Sequence, residues 1–234
     1  AVRFFWQTRK KQGKKQGSAT GSKDQGNRAL VTGGAQLDGF ISFFRDIAIA
    51  AGLPSASVNV RETTLPGYFR PTKEWDMVIF DSGVLVASIE FKSHIGPSFG
   101  NNFNNRVEEA LGTAYDLNIA FREGKLGNQS KPWLGYFMLL EKHPKSLATV
   151  KSKEPFFKVF PEFVGASYKD RYVEFCKKLI RERTYDATCL LLSEDATGLN
   201  GKFEEPERMI SHQSFIASLV GALTAHSKRK ELYR

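Results

Sequence analysis

Asp76, Glu90 and Lys92 are the residues of this chain whose types and spacing could do chemistry together. Glu90 and Lys92 are two apart, so on a β-strand they leave one face while Phe91 between them leaves the other. Asp76 lies 14 residues before Glu90, at the mouth of what reads as a partner strand. Two carboxylates suit Mg2+, a hard cation that prefers oxygen ligands and lowers the pKa of bound water. The backbone carbonyl of Phe91 offers a third ligand, and Lys92 on the same side reaches a phosphate and an attacking water. Such a set fits hydrolysis of a phosphodiester, which needs charge stabilisation at the phosphate, an activated water and help for the leaving oxygen.

The elements that must hold these groups are legible around them. Met77 to Phe80 is β-branched and aromatic, Asp81-Ser82-Gly83 has turn chemistry, and Val84 to Phe91 is apolar almost throughout. Near-continuous apolarity predicts strands covered on both faces. Upstream, Phe4-Phe5-Trp6 is an apolar anchor and the segment through Thr8 reads as the end of a helix. Residues 13–34, rich in Gly, Ser, Lys and Gln, read as a mobile loop or linker. A helix is predicted over residues 36–52, a strand over 57–64 and a loop over 65–71. Downstream, an Asn-rich loop over 94–105 precedes a helix at about 106–121, then a strand at 133–140 and a loop at 151–163. A helix over 168–183, a strand over 187–192 and a helix around 210–225 with a basic tail complete the order. This order predicts an α/β fold with a mixed central β-sheet flanked by helices. We expect one domain over 1–234 with a basic N-terminal arm to about residue 34.

A Glu-x-Lys triplet by itself means little, since chance supplies it on the order of once in a chain this long. A second copy, Glu123-Gly124-Lys125, lies in a polar loop with no upstream strand to offer a partner acid. Glu90-Phe91-Lys92 differs by its apolar strand and by Asp76 across a turn. The bland alternative is an exposed strand end with a surface ion pair worth about 0.5 kcal/mol. Asp38, Asp46 and Glu62 are candidates for an additional metal ligand, each with a cap or solvent-facing role as the alternative. His94 is placed to contact phosphate or to cap the strand. The other histidines and the two cysteines show no ligand grouping, and no phosphate-cradling Gly loop or Ser/His/Asp constellation is present.

Charge points to the partner. Of a net +9, residues 1–28 carry +7, with eight Lys or Arg against Asp24 alone. A basic segment of this kind fits a polyanion, nucleic acid first and anionic membrane second. Lys10, Lys11, Lys14 and Lys15 could run along phosphates, and Asn101, Asn102, Asn104, Asn105 and Arg106 could reach base edges. Turn formation and helix capping are the competing roles for the asparagines. A 41% hydrophobic content with 19 Phe suffices for a sizeable core. No apolar run approaches the ~20 residues of a membrane span, so a soluble, cytoplasmic protein is expected, with Cys176 and Cys189 as buried thiols.

Asp76 followed by Glu90-Phe91-Lys92 across strand, turn and strand resembles the core of the PD-(D/E)XK nucleases, with Trp75 where the motif name has Pro. More narrowly, the chain resembles the XhoI-type type II restriction endonucleases over nearly its whole length. The stretches that carry this are Phe4-Phe5-Trp6, Gly33-Gly34-Ala35-Gln36-Leu37-Asp38-Gly39-Phe40, and Asp76 to Lys92 with the Asn-rich segment after it. The resemblance implies Mg2+-dependent cleavage of double-stranded DNA within CTCGAG, leaving 5′ overhangs, by a homodimer. Two other readings fit the residues: a non-catalytic basic nucleic-acid-binding module, and a PD-(D/E)XK repair nuclease or junction resolvase.

Overall fold

A computed structural model describes residues 1–17, 34–96 and 98–232. Seven strands are present among them: β1 Val58–Asn59, β2 Thr64–Pro66, β3 Thr72–Glu74, β4 Met77–Asp81, β5 Val84–His94, β6 Trp133–Glu141 and β7 Ala187–Ser193. The longer helices are α1 Val2–Gly17, α2 Asp38–Ala50, α3 Phe99–Arg122, α4 Tyr168–Arg181 and α5 His212–Leu232. Five strands form one sheet in the order β1-β4-β5-β6-β7, while β2 and β3 pair as a separate antiparallel ribbon. Within the main sheet the pairs β1–β4 and β4–β5 are antiparallel, and β5–β6 and β6–β7 are parallel. The predicted mixed α/β sheet flanked by helices is therefore present.

The hairpin β4–β5 forms for the reason its turn residues suggest. Ser82 and Gly83 take φ of 53° and 82°, the left-handed pair that matches the twist of two antiparallel strands. Asp81 beside the turn accepts hydrogen bonds from Ser57 Oγ (2.8 Å), His226 Nε2 (2.9 Å) and Lys230 Nζ (2.9 Å). Burial would lift this carboxyl, but His226, Lys230 and Ser57 together hold it well below the usual carboxylate range. The turn is thereby fastened to the last helix.

Strand alternation sorts β5 into two faces. Ile89 and Phe91 enter a core with Phe40 and Phe44 of α2, Phe137 of β6 and Phe215 of α5. The rings lie close: Phe44 is 5.6 Å from Phe91 and 5.1 Å from Phe215, and Phe40 is 4.5 Å from Phe137. Gly135 on β6 permits this approach, because a Cβ there would come within 2.6 Å of Phe215 Cζ. The opposite face packs Trp75, Val78, Leu134, Tyr136 and Met138 against Ala110, Ala114 and Leu117 of α3 and Tyr172 and Cys176 of α4. Ser88 and Glu90 are buried on that side, across the sheet from Phe91. Cys176 and Cys189 are buried free thiols, as expected.

Several boundaries differ from the sequence reading. Helix α1 continues past Thr8 to Gly17, because its Arg, Lys and Gln residues are good helix formers. The predicted loop over 13–34 is thus helical in its first residues, and 18–33 lie outside the described residues. Helix α3 begins at Phe99, seven residues before the expected start, so the asparagines belong to its first turns. Phe99 and Phe103 supply the reason: their rings pack on His94, Tyr168 and Tyr172, outweighing the weak helix propensity of Asn. The strand predicted over 57–64 reduces to Val58–Asn59, and part of the supposed 65–71 loop joins the β2–β3 ribbon. Helix α5 takes in the basic tail.

The apolar anchor docks as predicted. Phe5 and Trp6 are buried while Phe4 is exposed, and Trp6 Nε1 donates to Ser193 Oγ (2.9 Å) at the end of β7. Replacing Trp6 with Ala should cost about 3–5 kcal/mol in urea unfolding, whereas Trp6→Phe, which keeps the packing and loses the hydrogen bond, should cost about 1–2 kcal/mol.

Candidate active site

The end of β4 nearest Trp75, the middle of β5 and the small ribbon meet around Glu90. Asp76 stands one residue before β4 and its Oδ2 accepts from Phe91 N (2.7 Å) and Lys92 Nζ (3.2 Å). Lys92 Nζ also donates to Glu90 Oε2. The three residues predicted from spacing are therefore brought together, with Lys92 bridging the two carboxylates. Their exposure is graded: Asp76 is 34% exposed in its side chain, Lys92 20% and Glu90 only 2%.

A fourth residue, not picked out from the sequence, completes the cluster. Lys73 of β3 donates to Glu90 Oε1 (2.7 Å) and to the Glu74 carbonyl, so each oxygen of Glu90 carries an ammonium. The ribbon bearing Lys73 is held by Asp116 of α3. Asp116 Oδ1 accepts from the backbone N–H of Tyr68 (2.6 Å) and Phe69 (2.7 Å), and its Oδ2 from Arg70 Nε (2.9 Å). Burial works to raise the Asp116 carboxyl, but Arg70 and the two N–H groups lower it overall.

Burial, reinforced by the charge of Asp76, raises the pKa of Glu90 above the ordinary glutamate range against the pull of Lys92 and Lys73. For Lys92 burial opposes the charge, yet Glu90 and Asp76 more than offset it and lift the ammonium above its usual range. Lys92 is accordingly a cation here, suited to hold anionic oxygen rather than to accept a proton. Two carboxylates that draw two ammonium groups to one point form a locus for positive charge with hard oxygen donors, which is the donor chemistry Mg2+ takes. The residues present fit that ion as a two-carboxylate site. No group of three or more His, Cys, Asp or Glu able to hold a metal occurs among the described residues, leaving backbone carbonyl and water to complete a coordination shell.

Two clefts flank the cluster. One, of about 510 Å3, is lined by Gln36, Asp38, Asp76, Phe91, Lys92 and Arg106. The other, of about 360 Å3, is walled by Arg70, Lys73, Glu90, Lys92, Arg106 and Tyr136. A larger hollow of about 690 Å3, including Tyr115, Arg122, Glu182 and Asp186, contains no member of the cluster.

The remaining predicted positions divide. Asp38 lines the first cleft at the start of α2, where burial raises its carboxyl. Asp46 and Glu62 are exposed and line neither cleft. Arg106 lines both clefts, pairing through Nη1 with Glu109 (2.6 Å) while its Nε is buried without a hydrogen-bond partner. Asn101, Asn104 and Asn105 are exposed on the first turns of α3, and Asn102 is half-buried. Lys10 and Lys11 are exposed on α1, and Lys14 and Lys15 follow on the same helix backbone. Glu123-Gly124-Lys125 is the C-terminal turn of α3, with Gly124 at φ 75°. The phosphate contact considered for His94 is corrected: the ring is buried, with Nδ1 against Tyr172 Oη (2.8 Å).

A mixed five-stranded sheet between helices, with carboxylates and a lysine where the antiparallel hairpin passes into the parallel strands, is a restriction-endonuclease-like fold. The comparisons with known proteins narrow the class. The family model described as "Restriction endonuclease XhoI" matches residues 15–205. The chain is 50% identical over 204 residues to the type II restriction enzyme BstVI of Geobacillus stearothermophilus, covering 85% of this chain and 91% of that protein. It is 52% identical over 158 residues to the type II restriction enzyme XhoI of Xanthomonas vasicola, covering 66% and 64% respectively. The type II restriction enzyme AbrI of Azospirillum brasilense is 46% identical over 160 residues, covering 68% and 71%. No solved structure matches. The chain belongs to the XhoI family of type II restriction endonucleases, and is thus a site-specific deoxyribonuclease. Family membership decides against the non-catalytic module and the repair or junction enzymes.

His94 gives a pH test of the packing behind the site. Burial, with the nearby charge of Arg106, lowers its pKa to about 4 from an ordinary 6.5. The unfolded chain therefore takes up this proton first, and the contribution is whole above pH 6.5 and is lost as pH falls toward 4. Between pH 7.5 and pH 5 this loss amounts to about 2 kcal/mol. Urea unfolding at both values should show the wild type losing that much more stability than His94→Gln.

Proposed function

We propose that this enzyme is a PD-(D/E)XK nuclease that hydrolyses both strands of duplex DNA with Mg2+ at CTCGAG, leaving 5′ overhangs, as a homodimer in the cytoplasm. The observation that carries the catalytic assignment is the meeting of Asp76, Glu90 and Lys92 at one point of the sheet, with Glu90 almost fully withdrawn from water. The target sequence rests on the likeness to the XhoI-type enzymes. A palindrome cut on both strands suits a two-fold dimer with one site per subunit.

In this reading Asp76, Glu90 and the Phe91 carbonyl would hold the metal. Bound there, Mg2+ supplies charge stabilisation at the phosphate and a water of lowered pKa. The protein's own contribution is placement. Phe91 N–H fixes the Asp76 carboxylate, and the phenylalanine layer behind β5 fixes the strand. Lys92, kept cationic by its two acids, orients the attacking water and donates to a phosphate oxygen. Exposed Lys10 and Lys11, with Lys14 and Lys15 beyond them, would track phosphates. Arg106 and the exposed asparagines at the start of α3 would face the bases.

Glu90→Gln keeps shape and removes one charge. It should reduce cleavage of a CTCGAG duplex at least a thousandfold while retaining DNA binding in a mobility-shift assay; normal cleavage by this variant would remove the assignment. Lys10→Ala with Lys11→Ala should weaken binding to cognate and unrelated DNA alike and lower the slope of log affinity against log salt by about 1–2. An unchanged slope would leave α1 off the DNA.

A further inference from the structure

Glu90 has an ammonium on each carboxylate oxygen, and the two lysines are not equivalent. Lys92 is two residues away on the same strand and also holds Asp76, so it belongs to the site by construction. Lys73 arrives from the β2–β3 ribbon, outside the five-stranded sheet, and touches neither Asp76 nor Phe91 through any hydrogen bond seen here. Its side chain is 27% exposed against 2% for Glu90. The ammonium has a way out to solvent, and the carboxylate does not.

A place for Lys73 to go adjoins the ion pair. The 360 Å3 cavity beside Glu90 gathers Arg70, Lys73, Lys92 and Arg106 with Glu109 and Glu90 as its acids. Arg106 and Arg70 border it, each holding one acid: Arg106 Nη1 donates to Glu109 (2.6 Å) and Arg70 Nε to Asp116 (2.9 Å). Four cations against two acids around a hollow favour an anion of phosphate size.

We infer that Lys73 is the resident counter-ion of Glu90 in the metal-free enzyme and is exchanged for the divalent cation, after which its ammonium, with Arg106, takes a phosphate oxygen of bound DNA. This rests on the metal role of Glu90 proposed above. It assigns Lys73 two successive partners. Without metal it neutralises a carboxylate that is only 2% exposed; with metal and DNA it adds a contact beside the site of cleavage. A cation competing for Glu90 must weaken metal binding to the free protein. Removing it should tighten metal binding even as cleavage suffers.

The test uses the full chain without DNA and Mn2+ as the probe, titrated by electron paramagnetic resonance. Lys73→Met, which keeps the stem, should lower the Mn2+ dissociation constant on the order of tenfold, the scale of one removed charge near the ligand. Lys73→Arg should stay near the wild type. In single-turnover cleavage at saturating Mg2+, Lys73→Met should be at least tenfold slow, with Lys73→Arg substantially restored. Thermal unfolding of each variant checks the fold. A merely structural role for Lys73 would weaken metal binding and cleavage together. Unchanged or weakened Mn2+ affinity in a folded Lys73→Met protein overturns the exchange, and undiminished cleavage overturns the phosphate contact. Glu90→Gln separates this from the underlying reading: if it still binds Mn2+ as the wild type does, the metal role of Glu90 fails first.

Discussion

The withdrawal of Glu90 from water is the constraint on which the rest of the site depends. A lone carboxylate at 2% exposure would cost several kcal/mol to keep ionised, and proteins meet that cost by pairing or by metal binding. Here the compensation is arranged from two directions, Lys92 along the strand and Lys73 from the ribbon. The strand cannot slip to relieve the burial. A one-residue shift of β5 would turn Glu90 toward Phe44 and Phe137 and expose Phe91 to the cleft. The two faces of β5 thus enforce each other: the aromatic layer fixes the register, and the register keeps Glu90 facing Lys73 and Lys92.

The same logic explains a ribbon of only three-residue strands. Such a pair has little stability of its own. Asp116 supplies what is missing, accepting two backbone N–H groups and the Arg70 side chain from the ribbon's loop while buried on α3. Gly67 is required where it stands, since a Cβ there would lie 2.4 Å from Asp116 Oδ2. The position of Lys73 is therefore set by a carboxylate more than forty residues downstream in the sequence.

How much of this was legible follows from range. Asp76, Glu90 and Lys92 could be read because a period of two and a local turn decide their placement, and both are written within 20 residues. The sheet class was readable because β4 to β7 are apolar enough to be recognised one by one. Lys73 was not, because Thr72-Lys73-Glu74 carries no apolar alternation and its pairing with Glu90 depends on the Asp116 tether. The start of α3 was misplaced for a related reason. Asparagines favour turns locally, and what keeps them helical is Phe99 and Phe103 packed against residues from β5 and α4. Residues 13–17 differ the other way, since their Gly, Lys and Gln content suggests a loop where straight-chain residues continue a helix.

Arg106 joins these threads. Had α3 begun at residue 106, this arginine would be an N-terminal residue with a free backbone; instead it lies two turns inside a helix whose entry is fixed by aromatic rings. It borders the cleft containing Asp76 as well as the basic cavity containing Lys73. Its charge also bears on His94, helping to keep that ring neutral in the aromatic cluster that positions the helix. Arg106 and burial both oppose protonation of His94, so the packing that places Arg106 stands while the ring is neutral and weakens when acid charges it. A neutral buried ring behind and a cation in front form one arrangement, set by the aromatic packing at the start of α3.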